Sequence, residues 1–124
     1  MTVMASVEQT LYASAARTAT PTAATVYSNG RMRLHLVIDV TAGTAGFSVV
    51  PTIDGFDAVS AKWFNVLTGL AITAAGTTVL KVGPGIGSSP NVSAEDVLPN
   101  AWRAVMTHAD SKSISYSVAA KLYP

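Results

Sequence analysis

Two histidines, seven carboxylates and no cysteine are the main acid–base and metal-binding groups of this 124-residue chain. A general base or nucleophile needs a partner within hydrogen-bond reach. His35 stands between Arg33 and Val37 on an alternating run, and His108 stands beside a polar turn that contains Asp110. Neither position specifies a catalytic partner. Without cysteine there is no thiolate nucleophile, no disulfide frame and no cysteine-ligated zinc or iron–sulfur site. Asp54 and Asp57 flank Gly55 and could offer oxygens to calcium, but their spacing departs from the EF-hand loop. Asp-Gly is first of all a turn signal. The run Gly83-Pro84-Gly85-Ile86-Gly87 imitates a phosphate cradle and fails both templates. Ser88 takes the place of a third glycine, no Gly-Lys-Ser/Thr follows, and Pro84 removes a backbone donor. These residues read as a non-enzymatic protein with no cofactor and no metal site.

Charge narrows the partners. Eight Lys and Arg against seven Asp and Glu leave a formal charge of +1, which offers no footprint for nucleic acid or an anionic membrane. No stretch approaches 18 uninterrupted apolar residues, so no membrane-spanning segment is expected. Arg31, Arg33 and Arg103 are expected to share one exposed sheet face near Trp63 or Tyr27, as a solvated surface. The neighbours Trp63 and Phe64 point to opposite faces of a strand, one to the core and the other outward as an anchor for a partner.

The elements that must position these residues are strands. Met32, Leu34, Leu36, Ile38 and Val40 form one apolar face of a run from Arg31 to Thr41. Arg31, Arg33, His35, Asp39 and Thr41 take the other face, where Val37 is the single exception. Asn29-Gly30 just before it is a hairpin signal, because both residues tolerate positive φ. Trp102, Ala104 and Met106, a polar turn at residues 108–112, and then Ile114, Tyr116, Val118, Ala120 and Leu122 predict a C-terminal antiparallel hairpin. Phe47, Val49, Pro51 and Ile53 alternate, but Pro51 cannot donate to a ladder, which predicts a strand at an edge or bulged, with a turn starting at Asp54-Gly55. A weaker strand runs through Val7, Gln9, Leu11, Ala13 and Ala15.

Residues 83–100 hold three Gly and three Pro and read as a long irregular loop. The fold class is therefore all-β: a single-domain antiparallel β-sandwich or jelly-roll-like structure over residues 26–124. An N-terminal segment, residues 1–25, carries one strand and could extend as an arm.

Charged residues are 12% of the chain, about half the usual share. Ala, Thr, Ser and Gly supply 55 of the 124 residues, so the surface is built largely from them. A free monomer so poor in charge is weakly protected from association.

The segment Leu98-Pro99-Asn100-Ala101-Trp102-Arg103-Ala104-Val105, with Ser113-Ile114-Ser115-Tyr116-Ser117-Val118 after the turn, resembles small virion proteins of tailed bacteriophages. Leu36-Val37-Ile38-Asp39-Val40-Thr41 and the Trp63-Phe64 run fit the same outline, over roughly residues 31–123. Such proteins are cysteine-free β-sandwiches, often head decoration (cement) proteins or minor capsid components. The resemblance implies a place on the capsid exterior, reached after synthesis in the bacterial cytoplasm. It implies the major capsid protein as a partner, together with further copies of this chain, most simply a trimer on a three-fold axis. Expected contacts with the shell or with other copies are Leu11, Tyr12, Arg31, Arg33, Trp63, Pro84 and Ile86. The alternative is a carbohydrate-binding module of a phage fibre or cell-surface protein, with Trp63, Trp102, Tyr27 and Tyr123 as stacking platforms for a glycan.

Overall fold

Alternation becomes strand wherever it is longest. The computed structural model describes residues 4–124, which form nine strands and no helix. The strands are β1 (Val7–Arg17), β2 (Val26–Tyr27), β3 (Arg33–Gly43), β4 (Val49–Asp57), β5 (Lys62–Thr68), β6 (Gly76–Val82), β7 (Ser93–Ala94), β8 (Ala101–His108) and β9 (Ile114–Tyr123). Two sheets result, ordered β1-β9-β3-β6-β7 and β2-β8-β4-β5. Every pairing is antiparallel except the two-residue β6–β7 contact.

The pairing follows one rule. The chain is doubled on itself, so that β4 meets β5, β3 meets β6, β2 meets β8 and β1 meets β9. The doubled ribbon then closes through β3–β9 and β4–β8. Inward-facing positions make a single core between the sheets. Leu34, Leu36, Ile38 and Val40 of β3 and Tyr116, Val118, Ala120 and Leu122 of β9 face Val49 and Ile53 of β4 and Trp102, Ala104 and Met106 of β8. Each large aliphatic side chain so buried contributes roughly 1.5–3 kcal/mol.

Several local expectations are corrected by this topology. Asn29 and Gly30 do adopt positive φ, 51° and 86°, but they link β2 in one sheet to β3 in the other. The turn was legible; the hairpin was not there. The C-terminal pair likewise splits, β8 joining the four-stranded sheet and β9 the five-stranded one. β4 is an interior strand rather than an edge, and its register with β5 shifts between Ile53 and Asp54. Pro51 is tolerated because its carbonyl, and so its missing N–H, faces β5 just beyond that strand's end, where Gly69 N–H donates to the Pro51 carbonyl at 2.8 Å.

Asp54-Gly55 lies within β4 instead of turning. Gly55 serves close packing: a Cβ there would stand 2.5 Å from Phe64 Cζ and 2.7 Å from Pro99 Cγ. The actual turn follows Asp57, whose carboxylate accepts from Val59 N–H at 3.1 Å and Ser60 Oγ at 2.6 Å. The expected arm is, over residues 7–17, a sheet strand paired with β9. Residues 1–3 of that expected segment lie outside the described residues.

Candidate functional site

The residues expected to touch a partner fall in three separate places. Leu11 and Tyr12 lie on β1, in a stretch where the register with β9 shifts. Leu11 packs partly on the core. Tyr12 is buried and donates its hydroxyl to the Ala104 carbonyl at 2.7 Å, which ties the two sheets together. Its ring is turned into the core, which leaves the main chain of β1 at this position to meet another chain. A pocket of about 90 Å³ opens beside these two residues, lined also by Val26 and Ala104, too small for a ligand beyond a few atoms.

Arg33 and Pro84 meet at one end of the sandwich, where Arg33 Nε donates to the Pro84 carbonyl at 3.0 Å. Arg33 also donates to the carbonyl of Pro124. Ile86 is half-buried in the same loop. Arg31 sits before β3 and donates to the Ala5 carbonyl at 2.8 Å. The loop, residues 83–100, is held by its own hydrogen bonds: the Glu95 carboxylate accepts from Gly85 N–H at 3.1 Å and Gly87 N–H at 3.3 Å. Its Ser93 and Ala94 add the short strand β7 beside β6.

Trp63 lies on the outer face of the four-stranded sheet. Arg103 projects from β8 onto that face, its guanidinium 4.2 Å above the Trp63 ring. The same guanidinium donates to Asp54 Oδ2 at 3.1 Å, and Phe56 packs against Trp63 at a tilt with ring centroids 4.9 Å apart. Phe64 points to the opposite face, 47% exposed at the rim of the core. Trp63 and Phe64 thus do diverge, yet neither is fully buried. The three arginines do not share a face: Arg33 belongs to the five-stranded sheet, Arg103 to the four-stranded one and Arg31 to a loop. Among the glycan-stacking candidates, Trp102 is wholly buried and Tyr123 stands edge-on to His35 at 5.0 Å, whereas Tyr27 is 57% exposed.

A cluster that spacing did not reveal closes the end of the sandwich away from the loop. His108 Nε2 lies 2.9 Å from the Tyr116 hydroxyl. Arg17 stacks over the rings of Tyr116 at 4.7 Å and Tyr12 at 5.6 Å and donates to the Tyr116 carbonyl at 2.8 Å. Burial and then the Arg17 charge lower the His108 pKa, while burial pushes Tyr116 up to about 12. Asp110, the carboxylate nearest in sequence, turns instead to Lys112, whose Nζ donates to it at 2.7 Å. Among the described residues His108 Nδ1 is buried without a partner, and no carboxylate orients the imidazole as in a catalytic triad. Among the described residues no three His, Asp or Glu side chains converge as metal ligands.

Set against protein-family models, curated proteins and solved structures, the chain matches none.

Proposed function

We propose that this chain is a structural protein of a bacteriophage virion, a jelly-roll decoration protein that binds the outside of the assembled head. The strand order carries the reading. Four strands β1-β9-β3-β6 over four strands β2-β8-β4-β5, doubled from both ends of the chain, support a jelly-roll assignment. Viral capsid and lectin domains share that architecture. Fold alone leaves function open, and the charge-poor surface adds a second support, because it suits lasting association with other chains.

The mechanism is linkage. A protein that binds the assembled shell and not its separate subunits stabilises the shell by mass action, more strongly when several weak contacts act together. The major capsid protein is the partner. β1 offers the contact as an edge strand: its outer side lies open for a neighbouring strand to pair by main chain. The loop at residues 83–100 is the second contact.

The test is biochemical. Virions of the phage that encodes the chain are purified and their proteins identified, and the isolated protein is mixed with empty heads. Stoichiometric presence in virions and saturable binding to heads are expected; absence from virions overturns the reading. Exposure of Tyr27 keeps a carbohydrate-binding module as the second reading. Glycan-array binding that is lost in Tyr27→Ala would establish it in place of the first.

A further inference from the structure

The outer face of the five-stranded sheet is laid out in cross-strand rows. Lys81, His35, Lys121 and Glu8 stand opposite one another across β6, β3, β9 and β1. The next row on this face is Val79, Val37, Ala119 and Thr10, and the one after it begins Thr77, Asp39 and Ser117. None of these side chains is buried. Val37 is thus the centre of an uncharged row, with cations on one side and a carboxylate on the other.

We infer that this face binds a second copy of the chain across a two-fold axis running along the Val79–Val37–Ala119 row. Rotation about that axis reverses position along the strands and preserves position across them. The uncharged row then lies on itself, as an isologous interface requires. Asp39 of one copy comes over His35 of the other, between Lys81 and Lys121. At about 3.4 Å per residue, both rows stand about 7 Å from the axis.

The charges select this orientation. A two-fold axis along β3 would instead set Asp39 over Asp39 and Lys81 over Lys121 of the other copy, and like-charge juxtaposition is costly. Asp39 has unused capacity: among the described residues its carboxylate accepts one long hydrogen bond, 3.5 Å from Thr77 Oγ1. Lys121 is held to Glu8 at 3.0 Å, which leaves Lys81 as the outward cation of the row. Small side chains at Ala119, Ser117 and Thr10 let two sheets approach face to face at an aligned angle. The pair is two-fold, in place of the three-fold cluster that the resemblance implied, and it does not rest on the virion reading.

The test uses the whole chain in solution. Sedimentation equilibrium should find a dimer at tens of micromolar that weakens with added salt. Val37→Asp sets two carboxylates against each other on the axis and should leave a monomer with unchanged far-ultraviolet circular dichroism. Asp39→Lys should weaken the dimer by about a hundredfold, and adding Lys81→Glu to it should recover part of the loss. If Val37→Asp fails to fold, the Asp39→Lys pair of measurements decides. A monomeric wild type, or Asp39→Lys as tightly paired as wild type, overturns the inference and leaves the virion reading standing.

Discussion

His108 and Tyr116 share a hydrogen bond of 2.9 Å between Nε2 and the phenol oxygen, and both are shifted in the sense that disfavours charge. His108 lies below its ordinary 6.5, through burial and then Arg17. As pH falls below about 6.5 the unfolded chain protonates first, so stability is lost on that side. Tyr116 is raised from 10.0 to about 12 by burial. As pH rises through that interval the unfolded chain loses the proton first, so stability is lost there too. The urea midpoint should be highest near pH 8 and lower at pH 5 and pH 11. Tyr116→Phe should cost about 1 kcal/mol at neutral pH and shorten the alkaline arm, with buried Tyr12, also raised, keeping the rest. Equal midpoints at pH 8 and pH 11 in the wild type contradict this account.

The Arg103 guanidinium is clamped between a ring and a carboxylate, 4.2 Å over Trp63 and 3.1 Å from Asp54. Both side chains of the ion pair are partly shielded, 29% and 15% exposed, which lifts it above an ordinary surface pair. Arg103→Ala should destabilise by about 1–2 kcal/mol, by loss of the stack and the paired charge. Arg103→Lys should recover less than half, since an ammonium cannot stack flat or bond with the same fork. Guanidinium denaturation followed by tryptophan emission measures both; a fully restored midpoint in the lysine variant counts against the stacking role.

Gly55→Ala places a methyl group where Phe64 and Pro99 already stand. The Phe64 ring sits at the rim and can swing out, but the Pro99 ring is fixed. A loss of about 1–2 kcal/mol is expected, and Phe64→Ala in the same chain should return part of it. Additive losses in the double variant would show that the two positions do not press on each other.

Trp102 is wholly buried, and among the described residues its Nε1–H has no partner. Removing the ring leaves a cavity, so Trp102→Ala should cost about 3–5 kcal/mol. Trp102→Phe should cost only about 1 kcal/mol, less than its lost volume alone implies, because it also removes an unpaired donor. Thermal unfolding of the three proteins checks the order; a phenylalanine variant as weak as the alanine one would locate the value of Trp102 in its indole nitrogen.

How much of this was legible in the sequence differs residue by residue. Leu34, Leu36, Ile38 and Val40 announced a half-buried strand, because period-two burial is a local property. Val37 stood out on the polar face for the same reason. Asn29 and Gly30 announced positive φ correctly, yet a turn's own conformation does not say whether its strands pair with each other. That depends on β8 and β9, some seventy or more residues further on, and so the hairpins were misassigned. Pro51 was read as an edge signal because the sequence does not tell which neighbour its missing donor would face. The Arg103–Asp54 pair and the Arg17–Tyr116 stack had no local signature at all, separated as they are by 49 and 99 positions.

The doubled arrangement of strands also sets a timetable for synthesis. β1 lies between residues 7 and 17, and among the described residues its ladder partner is β9, residues 114–123. A ribosome therefore releases the N-terminal strand long before the strand that completes it, whereas β4 and β5, and β6 and β7, pair with the strand next in sequence and can close early. Pairing of distant strands is slow, and unpaired edges are open to aggregation while they wait. The small, weakly apolar residues of β1, with Glu8 near its start and Arg17 at its end, suit a strand that must remain harmless until residue 122 has been made.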